Sequence, residues 1–189
     1  MLRISEINYS VEGRPLFEEA SAVIPEGHKV GIVGRNGAGK ITLFKIIRGE
    51  LSLDSGDISL PSRAKIGGVA QEVPSSETSL IDTVLAADVE RARLMLEAET
   101  AEDPTRIADI QTRLADIDAW SAEGRAASIL KGLGFDDEEQ QMPCSAFSGG
   151  WRMRVALAAV LFAQPDLLLL DEPTNYLDLE GALWLESYL

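Results

Sequence analysis

Residues 34–42 read GRNGAGKIT, with Gly34, Gly37, Gly39 and Lys40 at the spacing G-x-x-x-x-G-K. Glycines without Cβ atoms let successive backbone N–H groups turn inward around phosphate oxygens. The start of a following helix adds its positive end, and Lys40 reaches the outer phosphates. The pattern calls for a Ser or Thr hydroxyl on Mg²⁺ after the lysine, and this chain has Ile41 there. Two further groups could do chemistry. Asp171 and Glu172 follow an apolar run, residues 167–170, and Ser148-Gly149-Gly150 precede a helical stretch rich in Arg, Met, Val, Ala and Leu. Serine is a preferred helix N-cap, and two glycines leave that helix start open to an anion.

The elements that must position these groups are readable from periodicity and punctuation. Apolar residues alternate from Leu2 to Tyr9 and break at Glu12-Gly13-Arg14-Pro15, a turn signal. Residues 20–24 read as a second strand, residues 30–33 as a buried strand entering the glycine loop, and residues 43–47 as the helix leaving it. Residues 57–60 and 65–70 read as a further strand pair ending at Gln71. Residues 80–101 are helical by propensity. Asp103-Pro104 restarts a helix on which Ile107, Ile110, Leu114 and Ile117 form one apolar stripe. Together these predict an antiparallel helical hairpin. Helices are also predicted over residues 122–131, 148–162 and 179–188. A strand over 166–170, apolar after Asp166, belongs inside a parallel sheet covered on both faces, and ligands gather at the C-terminal ends of such strands.

Composition narrows the class. The chain has 189 residues, 46% of them hydrophobic, enough to bury a core. No apolar run approaches a membrane span, and the first residues lack a secretory signal. The single cysteine, Cys144, allows no internal disulfide. A cytoplasmic protein is expected. A net charge of −14, from 17 basic and 31 acidic residues, argues against holding nucleic acid by charge, and no direct DNA binding is expected. The predicted hairpin is acidic itself: residues 81–120 carry ten acidic side chains against four arginines. Trp151 is expected to pack rather than to stack on a base.

In order along the chain stand GRNGAGKIT, Gln71, FSGGW at 147–151, LLLLDE at 167–172 and PTNYLD at 173–178. This ordered set resembles the ATP-binding cassette (ABC) family. The wording FSGGWRMRVALA and LLLLDEPTN-x-LDLE resembles its soluble, ribosome-associated ABC-F subgroup, as does RLADIDAWSAEGRAASILKGLGF. The resemblance covers essentially the whole chain. It implies an α/β fold: a P-loop NTPase (RecA-like) core with a small antiparallel β subdomain and an inserted α-helical subdomain. The implied division is 1–79 for the β subdomain and Walker A core, 80–146 for the helical subdomain with an arm-like hairpin, and 147–189 for the signature helix, Walker B and D-loop.

The resemblance also implies roles. Gly34, Asn36, Gly37, Ala38, Gly39, Lys40, Ile41 and Thr42 line the nucleotide, with Lys40 catalytic and Thr42 near the α-phosphate. Tyr9 is the candidate to stack on adenine, with Val11 two residues along the same strand as its rival. Asp171 and Gln71 are the magnesium positions, Glu172 polarises the attacking water, and Gln71 approaches the γ-phosphate. Ser148, Gly149 and Gly150 act in trans, closing on ATP held by a second cassette, and Asn175 and Asp178 lie along that interface. ATP and Mg²⁺ are the implied cofactors, and a second cassette and the ribosome the implied partners. Tyr176 departs from the subgroup, which usually has histidine there.

The family's switch histidine lies on a strand beyond Leu189, so the resemblance leads to the expectation that this is an N-terminal piece of a longer protein. Two alternative readings stand beside the leading one: the ATP-binding subunit of a transporter, and a nucleotide-binding module in which Ile41 leaves little or no hydrolysis.

Overall fold

The computed structural model describes residues 1–69 and 75–189. The chain divides into two compact units, Met1–Ile66 and Gly67–Leu189. In the first, β1 (Leu2–Val11) is the middle strand of a three-stranded antiparallel sheet, between β2 (Arg14–Ile24) and β3 (Ser55–Ser59). Period-two alternation explains the burial of Leu2 and Ile4 in β1. Ile7 is out of phase and is turned to the same face by the register shift between Ile4 and Ile7, where Glu6 has φ 46°. Strand β2 begins six residues earlier than the apolar run at 20–24 implies. Its polar stretch is carried by the ladder to β1 and by irregular register, with Glu19 at φ 47° and its N–H donating to Asn8 Oδ1 at 3.0 Å. Helix α1 (Lys40–Ile47) buries Phe44, Ile46 and Ile47.

Two expectations fail in this region. Residues 30–33 form no strand, and Val33 is 97% exposed. Apolar character alone does not make a strand, because the conformation is held by ladder bonds, and no described strand pairs with this run. Nor do the strands near 57–60 and 65–70 pair with each other: β3 pairs with β1, whereas β4 (Ile66–Gly68) pairs with β5 (Leu167–Leu169). The predicted end of the 65–70 run at Gln71 falls outside the described residues.

The second unit is mostly helical. The stretch 80–101 is two helices, α2 (Leu80–Leu85) and α3 (Val89–Thr100). Asp88 breaks it by capping α3, accepting from the Arg91 N–H at 3.0 Å. Helix α4 (Pro104–Asp116) starts from Asp103, which accepts from the Thr105 N–H, with proline in the first turn. The ion pairs Glu97–Arg106 at 2.6 Å and Glu90–Arg113 at 2.7 Å join residues whose numbers share one sum. Constant-sum pairing is the mark of antiparallel neighbours, so α3 and α4 form the expected hairpin. Ile110 and Leu114 are fully buried against Leu94, while Ile107, at the end of the stripe, is 38% exposed.

The main core lies among α2, α5 (Ala122–Gly132), α6 (Gly149–Phe162) and α7 (Leu179–Tyr188), with Leu130, Leu133, Phe135 and Val155 fully enclosed. Cys144 is buried beside Thr83, 3.3 Å from its Oγ1. Among the described residues no helix is long and apolar enough to cross a membrane.

Helices α5 and α7 meet where Trp184 lies against Gly132, and a Cβ on that glycine would overlap the indole. Gly124, on the same helix, faces open space. Gly132→Ala is therefore expected to lose about 1–3 kcal/mol of stability by overpacking. Gly124→Ala is expected to gain roughly 0.5–1 kcal/mol through helix propensity. Urea unfolding of the two variants beside wild type checks both signs.

Candidate functional site

In the first unit the glycine loop has the backbone its sequence requires. Gly37 and Gly39 take φ 82° and 95°, left-handed values that a residue with a Cβ adopts only at a cost. Ala38 N–H donates to Arg35 O at 3.0 Å, making the tip a turn. Gly39 is the N-cap of α1 and supplies no side-chain cap, so the first-turn N–H groups of the helix present positive charge to the loop. Lys40 Nζ donates to Gly34 O at 2.8 Å and lies 3.5 Å from Arg35 O. The ammonium thus sits over the carbonyl rim of the same loop. Asn36 is exposed in the turn, Thr42 is half-buried, and Ile41 is 45% exposed.

One pair of neighbours is not legible from the motif. A Cβ on Gly39 would come within 3.0–3.1 Å of the Leu16 and Phe17 side chains. The start of α1 therefore rests on β2, and Phe17 pairs across the sheet with Tyr9. Tyr9 is half-buried at that position, and Val11 is exposed.

In the second unit β5 delivers Asp171 and Glu172, both exposed. Glu172 has φ 45° and ψ 52°, a conformation that costs a non-glycine residue on the order of 1 kcal/mol. Asn175 holds it there: its Nδ2 donates to Glu172 Oε2 at 2.8 Å and its backbone N–H to Glu172 O at 3.1 Å. The segment between them is a single 3-10 turn, Pro173–Tyr176. Asp178 starts α7 by accepting from the Gly181 N–H at 2.8 Å, and its other oxygen accepts from Arg154 at 3.0 Å. The Gly181 bond first, then the Arg154 guanidinium, hold the Asp178 carboxyl below the usual carboxylate range.

Ser148 stands at the N-cap of α6 with an extended backbone, but its side chain makes no capping bond. The capping role expected of its hydroxyl is not present. Gly149 and Gly150 have open space around their Cβ positions. Trp151 packs as expected, edge-on to Phe135 at 5.1 Å.

Sequence reasoning passed over Arg154. It is 8% exposed, and it donates from Nε to Tyr176 O at 2.7 Å and from Nη1 to Leu133 O at 3.1 Å and to Asp178 Oδ2. A signal was available: Arg154, Leu157, Ala158 and Leu161 share one face of α6 by spacing, so an arginine occupies an apolar stripe.

The donor set suits nucleotide phosphate better than it suits a metal. The loop offers oriented backbone N–H groups and Lys40. Within the loop the Ile41 side chain supplies no oxygen for a divalent ion; in the second unit Asp171 is an exposed carboxylate, and Gln71 lies outside the described residues. Among the described residues no three His, Cys, Asp or Glu side chains cluster to hold an ion.

A family model described as ABC transporter matches residues 17–175. The chain belongs to the ATP-binding cassette family. Within it, the chain is 45% identical over 192 residues to the probable ATP-binding protein YheS of Haemophilus influenzae, covering all of this chain and 30% of that protein. It is 42% identical to ABC transporter F family member 3 of Arabidopsis thaliana, covering all of this chain and 29% of the relative. The same identity holds to human ATP-binding cassette sub-family F member 3, with 100% and 27% covered. The chain thus spans less than a third of these ABC-F relatives. The ATP-binding subunit of an ABC transporter superposes with a TM-score of 0.72 at 19% identity, over 100% of this chain and 72% of that one. The cbiO1 component of a cbiONQ transporter from Clostridium perfringens gives 0.64 at 27%, over 99% and 71%. The fold is that of a P-loop ABC ATPase, α/β with an antiparallel β subdomain and a helical region.

The depressed Asp178 carboxyl carries a sign. Its stabilising contribution is complete above the unfolded-state value and is lost as pH falls through the lower folded-state value. The melting-temperature gap between wild type and Asp178→Asn is therefore expected to be full at pH 6 and to close below about pH 4. Thermal melts across that range check it.

Proposed function

We propose that this chain is an ATP-hydrolysing cassette of the ABC-F kind, acting with a second cassette and serving translation at the ribosome. The ATP part is carried by the loop from Gly34 to Thr42, where two left-handed glycines, an uncapped helix start and Lys40 share one short segment. In this reading Gly37, Ala38, Gly39 and Lys40 cradle the β- and γ-phosphates. Lys40 leaves the Gly34 carbonyl for the γ-phosphate, Thr42 serves the α-phosphate, and Tyr9 supports the adenine from the strand that pairs with β2. Glu172 accepts the developing proton of the attacking water. Its fixed partner Asn175 keeps one carboxylate oxygen directed. Ser148, whose hydroxyl is not spent on capping, is available with Gly149 and Gly150 to ATP held by another cassette. Residues 1–79, 80–146 and 147–189 are the corresponding functional segments.

Magnesium, when bound, would neutralise phosphate charge, and Asp171 would hold it; the same resemblance names Gln71, which lies outside the described residues. Ile41 withdraws the usual hydroxyl, an interaction worth about 1.5–3 kcal/mol with a charged partner. This favours a second reading, nucleotide binding with little turnover. The ribosomal role is supported by similarity along the whole of this chain to part of ABC-F proteins and by the exposed hairpin α3–α4. A cytoplasmic location goes with it.

Three measurements on the intact protein decide between these. Ile41→Ser is expected to tighten Mg-ATP binding about 10- to 100-fold, read by titration with a fluorescent nucleotide with and without Mg²⁺. An unchanged affinity removes the hydroxyl argument, and brisk Mg-dependent turnover with Ile41 in place removes the non-hydrolysing reading. Glu172→Gln with ATP is expected to sediment with ribosomes through a sucrose gradient. Recovery with membranes instead supports a transporter subunit.

A further inference from the structure

Arg154 is a buried charge in the second turn of α6, and its surroundings are not those of a residue that merely fills space. Nε is bonded to the Tyr176 carbonyl, Nη1 to the Leu133 carbonyl and the Asp178 carboxylate, and the guanidinium lies 4.3 Å from the centre of the Trp151 ring. One planar fork thus ties α6, the end of α5 and the segment that follows Glu172. Lysine has neither the planar fork nor the stacking face to do this. That segment is short and pinned at both ends. Asn175 ties back to Glu172, while Tyr176 and Asp178 tie to Arg154. Arg154 and Asp171 also line one small cavity of about 30 Å³, with Pro173 and Tyr176. Glu172 keeps its left-handed backbone, and such conformations persist only where the surroundings over-determine them. Arg154 supplies that constraint from outside the segment.

We propose that Arg154 is a positioning residue. It fixes the segment Glu172–Asp178 to the helix that begins at Ser148-Gly149-Gly150, and through that segment it sets the direction of the Glu172 carboxylate. The inference rests on the catalytic reading of Glu172. It adds that a shift at the start of α6 reaches Glu172 through one side chain, with no contact of its own to nucleotide. Charge alone is not enough, because two of the three bonds go to carbonyls.

The test is Arg154→Lys in the intact protein. Hydrogen–deuterium exchange by mass spectrometry is measured over residues 171–181 and 34–42, together with ATP turnover and the affinity for a fluorescent ATP analogue. Expected are exchange about tenfold faster in 171–181 and unchanged in 34–42. A fall in kcat of about tenfold with nucleotide affinity held within about twofold completes the pattern. Unchanged exchange in 171–181 overturns the proposal, as does a parallel loss of kcat and affinity. Absence of turnover in wild type sinks the catalytic reading, while the exchange data still decide the tether. Where Arg154→Lys fails to fold, Asp178→Asn takes its place. That variant keeps an oxygen for the Gly181 N–H but removes the charge facing Arg154, and it is expected to give the same pattern more weakly. Unchanged exchange there overturns the tether equally.

Discussion

A guanidinium taken out of water must have its N–H groups answered, and in the second unit three segments converge to answer Arg154. Removing a buried charge's partner leaves that charge uncompensated, so the Leu133 carbonyl, the Tyr176 carbonyl and the Asp178 carboxylate are held where they are by the same requirement. Asp178 is doubly committed, since its other oxygen starts α7. The position of α7, the 3-10 turn before it and the end of α5 are thus one connected solution. Its arrangement leaves Asp171 and Glu172 exposed at the end of β5.

The glycine loop solves a different problem with the opposite means. There the side chains are removed rather than paired, and backbone N–H groups do the work. Gly37 and Gly39 adopt angles that other residues resist. Gly39 is doubly constrained, because Leu16 and Phe17 occupy the space a Cβ would need. Ile41 spares this geometry, since its side chain points to solvent far enough to be 45% exposed. The substitution touches the chemistry of the site and leaves its shape.

What was legible in the sequence follows this division. Helices α6 and α7 and the hairpin were readable because helix boundaries and periodicity are local: Asp103 caps α4, Ser148 marks the start of α6 without a side-chain capping bond, and the Ile110–Leu114 stripe faces inward. The glycine loop was readable because its backbone needs glycine. Strand pairing was not, because it depends on partners far along the chain: β4 joins β5 across about a hundred residues, and residues 30–33 have the composition of a strand without a described partner. Arg154 was hidden for the same reason. Its acceptors are 21, 22 and 24 residues away, and only its place on an apolar stripe hinted at burial.

The paired charges of the hairpin constrain how that arm can change over evolutionary time. Glu90–Arg113 and Glu97–Arg106 lock α3 and α4 in one register. A residue gained in one helix alone rotates everything beyond it by about 100°, turning Ile110 and Leu114 out of the seam. The hairpin can therefore be lengthened or shortened only by matched changes in both helices, close to whole turns. Its length and its register are set together.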